Sequence, residues 1–364
     1  MLETEAGRIR AAIEAIRPLD ARAMRRARAR QQQLTKPPGS LGRLEALAER
    51  IAGITGDDRP RLARRLVVVA AGDHGVTARG VSAYPSEVTA QMVANFLGGG
   101  AAINVLAAHA GARVRVIDAG VASETPDHPA LTRLRLGAGT GDITARSAMT
   151  REQAERAVAE GIALLDVERR SDGVDILACG EMGIGNTTSA AAITAAITGR
   201  PAHAVTGRGT GIDDERFEVK VRAVQRALEV NRPDPEDGLD VLAAVGGFEI
   251  GVLAGLYVGA AAARIPAVVD GFISGAAALV AAVIAPEVRD YLVASHRSVE
   301  AGHAATLDHL GLEPLFDLGM RLGEGSGAAL GITLCVAACR LLDEMATFED
   351  AGVSSSEEVV PPEA

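Results

Sequence analysis

Apolar residues recur at helical spacing over residues 1–33, with Ile9, Ala12, Ile13 and Ile16 three and four apart, then Leu19 and Ala23. Lys36-Pro37-Pro38-Gly39 breaks that pattern, and Ser40 offers an N-cap for a helix over Leu41–Ile54. The period then changes. Arg65–Ala71 is a short β-branched run with a turn signal directly behind it, the pattern of a central strand buried on both faces of a parallel sheet. The pattern returns at Val114–Asp118, Val174–Ala178, Ala267–Asp270 and Tyr291–Ala294. Helical segments lie between, among them Ser86–Phe96, Arg151–Leu165, Thr188–Thr198 and Asp214–Val230. Strands alternating with helices predict an α/β domain with crossover connections. A last apolar helix is expected from Ala328 to Met345, and the polar, Pro-rich Ser354–Ala364 has the composition of a disordered tail. The expected organisation is a small helical domain from both chain ends (1–58 and 326–349), an α/β core (59–325) and a disordered tail (350–364).

Composition narrows this picture. The 364 residues are 48% hydrophobic but only 2% aromatic, without tryptophan, which suits Ala-rich helices packed closely on a sheet. A net charge of −10 with no basic face disfavours nucleic-acid binding, where phosphate neutralisation supplies most of the affinity. The basic run Ala21–Arg30 reads as a solvated helix face. Lys36 and Lys220 are the only lysines. Cys179, Cys335 and Cys339 form no disulfide framework, so a reduced, cytoplasmic protein is expected. The N-terminus lacks a signal-peptide apolar segment. The most apolar stretch, Ile250–Ala285, is interrupted by Arg264, Pro266 and Asp270, so it reads as core and no membrane span is expected.

Ligands of open α/β sheets sit beyond the carboxyl ends of the strands, so the segments behind each run carry the candidate chemistry. Behind Val174–Ala178 comes Cys179–Thr188 (CGEMGIGNTT), whose glycines allow several amides to face one point ahead of a helix N-terminus. It is either a phosphate cradle or a tight turn, and it matches neither the Walker A nor the dinucleotide fingerprint. Ser295-His296-Arg297-Ser298, ahead of a helix expected from Val299, is a second anion site or an ordinary Ser N-cap. Thr206–Gly211 is a third Gly-rich turn. Asp73 and His74, behind the first strand, suit an acid/base pair or a structural turn better than a metal, because the remaining histidines show no ligand spacing. Glu324, in Met320–Gly327 (MRLGEGSG), is hemmed by glycines that would let a ligand approach closely. A helix start directly behind it would also favour its charge and lower its basicity.

These segments together resemble the nicotinate-nucleotide–dimethylbenzimidazole phosphoribosyltransferase family. The resemblance rests on Lys36–Glu45 (KPPGSLGRLE), Gly72–Val76 (GDHGV), Tyr84–Val93 (YPSEVTAQMV), Phe96–Ile103 (FLGGGAAI), Gly180–Thr188 and Gly207–Asp214 (GRGTGIDD). It continues through Val269–Leu279 (VDGFISGAAAL), Ser295–Ser298 with Gly302-His303, and Gly319–Leu330 (GMRLGEGSGAAL), all in order over roughly residues 36–350. It implies a Rossmann-like parallel-sheet large domain, a small helical domain from both termini and a homodimer. The implied reaction converts nicotinate mononucleotide and 5,6-dimethylbenzimidazole to α-ribazole 5′-phosphate and nicotinate, for the nucleotide loop of cobalamin, and calls for no cofactor or metal. The family's catalytic carboxylate falls on Glu324. Gly183, Gly185, Asn186, Thr187, Gly209 and Ser298 fall at nucleotide and phosphate positions, with Glu181 beside them. Tyr84, Met92, Met182 and Leu322 fall on the wall of the acceptor-base pocket. Two rivals remain open: a transferase of the same fold with adenine or a phenol as acceptor, and a catalytically silent nucleotide-binding subunit, against which the intact Glu324 counts.

Overall fold

A computed structural model describes residues 4–354. Its centre is one six-stranded sheet: β1 (Arg65–Gly72), β2 (Ala112–Gly120), β3 (Leu131–Arg133), β4 (Ile176–Met182), β5 (Ala267–Val269) and β6 (Leu292–Ala294). The order is β3-β2-β1-β4-β5-β6 and every pairing is parallel. This is the doubly wound dinucleotide-fold order, which reverses direction between β1 and β4 and opens a crevice at their carboxyl ends. Five strands lie at the expected runs. The sixth, β3, is a three-residue edge strand with no periodicity of its own; it forms because Leu131–Arg133 pairs with Val116–Asp118.

β4 differs from expectation in a way that matters. It begins two residues later and continues through Cys179–Met182, where the glycine-rich sequence suggests a loop. Pairing with β1 carries it on, Ala70 opposite Glu181 and Ala71 opposite Met182. Three helix starts also move. The helix expected from Leu41 runs Arg43–Thr55 and is capped by Gly42, not Ser40. The helix after β4 starts at Asn186 behind a left-handed Gly185, and the one after β6 at Ala301 behind Glu300.

The apolar stretch expected as core is core. Helices Phe248–Ala262 and Phe272–Ile284 are almost wholly buried. Helix Phe248–Ala262 packs on Arg151–Ser171 through glycines: a Cβ on Gly255 would collide with the carbonyl of Val158, and one on Gly161 with that of Val252. Backbone-to-backbone approach of this kind explains why Ala and Gly dominate the core.

The chain packs as two compact units. One holds the described residues up to Arg17 together with Arg64–Ile332; the other holds Pro18–Ala63 with the described residues from Thr333 onward. The expected small domain included the first helix, Glu5–Ala15, but that helix packs on Arg151–Ser171 and Phe248–Ala262 of the α/β unit. In the second unit the basic run forms Ala21–Gln33, capped by Asp20, with Ala23 and Ala27 buried and Arg22, Arg25, Arg26 and Arg28 exposed. Of the expected tail, residues 350–351 end a short helix, Phe348–Ala351, capped by Thr347, and residues 355–364 lie outside the described residues. Two stretches, Glu87–His109 and Ser326–Glu344, are long and apolar enough to cross a membrane by length and composition alone. The first is interrupted at Gly98–Ala101 and the second is 56% buried.

The glycine contact between the two core helices predicts a graded effect. Gly255→Ala is expected to cost about 1–3 kcal/mol through overpacking. Gly259→Ala, whose Cβ would sit 3.4 Å from its nearest neighbour, is expected to be neutral or stabilising by up to about 1 kcal/mol through helix propensity. Urea midpoints at constant m-value measure both; equal midpoints for the two variants would refute the packing account.

Candidate active site

The loops behind β1 and β4 meet at the reversal point. A Cβ on Gly183 would strike the carbonyl of Gly72, so the missing side chain of Gly183 lets these backbones cross so closely. Beneath the crossing, His74 is fully enclosed, its Nε2 2.7 Å from Glu249 Oε1 and its Nδ1 3.0 Å from Ser189 Oγ. Asp73 accepts the Ala122 amide at 2.8 Å. Both residues are thus engaged inside the protein, and the structural reading of this pair holds. The Ile184 amide donates to Thr89 Oγ1 at 3.1 Å, and Gly185 (φ +93°) starts the next helix without a side-chain cap. The first-turn amides of that helix face the crevice end of the sheet, where an anion is favoured.

Glu324 is held by its backbone. Gly323, Glu324 and Gly325 are consecutive left-handed residues with φ of +82°, +63° and +85°. A non-glycine residue in this region carries strain on the order of 1–3 kcal/mol that its surroundings must hold in place. Two contacts do so. Gly180 of β4 packs directly on the Glu324 carbonyl, where any side chain would collide. Asp270, directly behind β5, accepts the Gly325 amide at 3.1 Å and the Ala328 amide at 2.8 Å. The amides of Gly327 and Gly271 also bond to Asp270 and favour its charge, yet burial still pushes its carboxyl up to about 7. The Glu324 carboxylate accepts the amide of Ile103, in the first turn of helix Ala102–His109. Its other oxygen, Oε2, is buried without a partner. Burial raises its pKa against the opposing effect of that amide.

Glu181 lies at the end of β4, not in a loop, and is 6% exposed. Asn186 Nδ2 donates to its Oε2, and its Oε1 fills the space where Gly323 has no Cβ. Burial, then the charges of Asp270, Glu249 and Glu324, push it up to about 8. Glu181, Asp270 and Glu324 therefore form a cluster of buried carboxyls whose pKa values are all raised, first of all by burial. The Asn186 side chain, expected at the nucleotide, is committed to Glu181.

The remaining phosphate-position residues converge on a group that sequence reasoning missed. Lys220 is 1% exposed, donating to Thr187 Oγ1 at 2.8 Å and to the Gly207 carbonyl at 3.0 Å. Burial lowers it to about 8, opposed by Glu300. Glu300 in turn accepts the Gly209 amide at 3.0 Å. Ser298 is no helix cap: its amide donates to His303 Nδ1 at 2.9 Å, and burial holds His303 down at about 3, hence neutral. Thr187 and Gly209 thereby lie around one buried ammonium, while Ser298 is held by His303 and accepts the Glu300 amide at 3.4 Å. The rarity of lysine in an Arg-rich chain was the only linear hint; mid-helix in Asp214–Asn231, Lys220 otherwise resembles a solvated lysine.

The acceptor-wall candidates divide. Met182 ends β4 beside Glu181 and is half-buried, as is Met92 on helix Glu87–Leu97. Tyr84 and Leu322 are 55% and 57% exposed. The Ala83 amide, next to Tyr84, donates to Thr210 Oγ1 at 3.1 Å. Leu322 adjoins Gly323 and Glu324. A cleft of about 380 Å³ opens at this turn, lined by Gly207, Gly209, Phe217, Val299, Glu300 and Arg321.

With this geometry in place, comparison with known proteins is informative. Residues 16–353 match the DBI_PRT phosphoribosyltransferase family. The nicotinate-nucleotide–dimethylbenzimidazole phosphoribosyltransferase of Roseiflexus sp. (strain RS-1) is 62% identical over 346 residues, covering 95% of this chain and 98% of the relative. The protein of the same name from Chloroflexus aggregans is 60% identical over the same shares. The crystal structure of the Thermus thermophilus protein of that name superposes with a TM-score of 0.87 at 49% identity, covering 93% of this chain and 100% of that one.

The raised carboxyl of Glu181 predicts a pH-dependent stability difference. The folded state keeps its proton up to about 8, whereas the unfolded chain releases it near 4.5. The contribution of Glu181 is therefore fully present below the lower value and lost as pH rises through the upper one. Glu181→Gln should match the native Tm near pH 4.5 and exceed it by several degrees at pH 8.5. A Tm difference that does not change with pH would count against the buried, protonated state.

Proposed function

The chain belongs to the nicotinate-nucleotide–dimethylbenzimidazole phosphoribosyltransferase family, and from that membership we propose that it moves the 5-phosphoribosyl group of nicotinate mononucleotide onto 5,6-dimethylbenzimidazole with Glu324 as general base. The observation that carries this reading is the state of Glu324: a buried carboxyl of raised pKa, locked between two left-handed glycines, with one oxygen lacking any protein partner.

In this reading the 5′-phosphate lies at the N-terminus of helix Asn186–Thr198, beside Gly209 and Ser298, with the Lys220 ammonium behind it. The pyridinium nitrogen of the donor is already cationic, so the C1′–N bond breaks without protonation and nicotinate departs. Positive charge grows on the ribose as an oxocarbenium-like transition state, and the ionised part of the Glu181–Asp270–Glu324 cluster favours it in a low-dielectric site. The attacking benzimidazole nitrogen approaches from the opposite face, which inverts β to α. As the new C1′–N bond forms, positive charge spreads through the benzimidazole ring, and its other nitrogen loses its proton to Glu324. General-base assistance of this kind contributes on the order of 10²–10⁴ in rate, and holding both bases on opposite faces of one ribose contributes much of the remainder. The product, α-ribazole 5′-phosphate, is the nucleotide required for the lower ligand of cobalamin.

We further propose a cytoplasmic homodimer. The three free, buried thiols suit a reducing compartment. Helical stretch Glu87–His109 supports self-association, because it is strongly apolar while 28% of it is buried, and Val105 is 67% exposed.

Among a panel of dimethylbenzimidazole, adenine and phenol, dimethylbenzimidazole should be ribosylated fastest from nicotinate mononucleotide; a faster adenine or phenol would overturn the acceptor assignment. Glu324→Gln should retain nicotinate mononucleotide binding while kcat falls by about 10²–10⁴. The base acts when ionised and its pKa is raised by burial, so wild-type kcat/KM should fall with decreasing pH through a limb above the usual carboxylate range. A variant that kept most of its turnover would remove Glu324 from this role. For the assembly, light scattering should give twice the chain mass for the native protein and the chain mass for Val105→Glu.

A further inference from the structure

One short turn, Thr206–Gly211, receives hydrogen bonds from opposite sides. On its inner side the Gly209 amide donates to Glu300 Oε1 at 3.0 Å. There too, Lys220 Nζ donates to the Gly207 carbonyl at 3.0 Å while also holding Thr187 Oγ1. On its outer side Thr210 Oγ1 accepts the Ala83 amide at 3.1 Å and lies 3.4 Å from Ser82 Oγ. Arg321 Nη1 donates to the Gly209 carbonyl at 3.2 Å. The inner partners belong to the proposed phosphate site. The outer partners are the segments that carry the acceptor side: Ser82–Tyr84 on one hand, Arg321–Glu324 on the other.

Gly209 is the junction. Its N–H serves the nucleotide side and its carbonyl the acceptor side, so any shift of this residue is felt at both. Gly209 and Gly211 have φ of +52° and +93°, a conformation that the turn holds only while its partners hold it. Opposite it, the strap from Asp317 to Leu322 is largely exposed. A backbone bond from the Val299 amide to the Met320 carbonyl, 3.3 Å long, anchors it just before Arg321. The side chains that wall the acceptor site, Tyr84 and Leu322, are exposed, so their placement depends on what tethers the backbone beside them. Thr210 and Arg321 supply such tethers.

We propose that this turn couples the two substrate sites. A phosphorylated donor seated against Lys220, which holds the Gly207 carbonyl, fixes the turn, and the turn, through Thr210 and Arg321, sets Ser82–Tyr84 and the Arg321–Glu324 strap around the acceptor base. Thr210 and Arg321 are positioning residues that act through the segments they hold. Donor binding therefore tightens acceptor binding, and reciprocally acceptor binding tightens donor binding by the same factor. Glu324 is brought to its working place only when there is a donor for the acceptor to attack. The inference rests on the transferase reading above.

The test is a matrix of initial rates in which nicotinate mononucleotide and dimethylbenzimidazole are both varied. It yields the factor by which saturating donor tightens the acceptor. The wild-type factor should be at least about five. Thr210→Val and Arg321→Met should each bring it toward one and together no further, since both act through one junction. Thr210→Ser keeps the acceptor oxygen and should keep the coupling. The kcat at saturation of both substrates should stay within about threefold in the Thr210 variants. Arg321 lies on the surface, so its variant reports even if Thr210→Val were to misfold. A wild-type factor near one, or a factor unchanged in both variants, overturns the coupling while leaving the transferase reading intact. Absence of ribosyl transfer in the wild type would overturn both.

Discussion

Glu324 can face the crevice only because Gly180, in the middle of a buried strand, has no side chain. The carbonyl of Glu324 occupies the volume that a Cβ on Gly180 would need. The same absence recurs at Gly183 over Gly72 and at Gly323 over Glu181. Three backbone-to-backbone or backbone-to-carboxyl approaches thus stack the β4 end, the loop behind β1 and the Glu324 loop on one another. Sterics of this kind tolerate no intermediate placement. They fix the left-handed conformation of Glu324 more firmly than any hydrogen bond to its side chain could, and they leave that side chain with an unpartnered oxygen.

Electrostatics then follows from packing. Glu181, Asp270 and Glu324 are buried near one another, with Glu249 close enough to add its charge at Glu181. Burial is the leading cause of the raised pKa at all three of the cluster's members. Such a cluster is poor for stability at high pH and good for a reaction that develops positive charge on a sugar ring and then releases a proton. On the other side of the pocket the imbalance is reversed: a buried lysine is the principal cation, and Glu300 offsets it in part. The carboxyl cluster and the lysine therefore set up fields of opposite sign. The residues that create these fields lie on separate strands and helices, which the close packing of the α/β unit holds in register.

Much of the fold was legible from periodicity. β-branched runs bounded by turn signals located β1, β2, β5 and β6, and the helical segments between them implied parallel pairing. The glycine-flanked carboxylate and the Gly-rich segments behind the strands marked close backbone approaches, which the structure shows at Gly180, Gly183 and Gly323. β3 was not legible, since three residues carry no period and Leu131–Arg133 becomes a strand only by pairing with β2. The end of β4 was misread because glycine suggests a turn, whereas pairing with β1 keeps Gly180–Met182 extended. Lys220 was also missed: a lysine among exposed arginines has no local mark of burial.

The sequence by itself determined the alternation of strand and helix, the family, and the residue types at the crevice. These depend on local spacing and on short segments whose chemistry is carried along the chain. Only the tertiary structure decided which carboxyls are buried together, which lysine is buried, and which segments bond to the Gly209 turn. Those properties arise from desolvation and from approaches between residues up to about 140 positions apart, as with Gly180 and Glu324. No linear pattern encodes how far such residues are removed from water until the chain has packed.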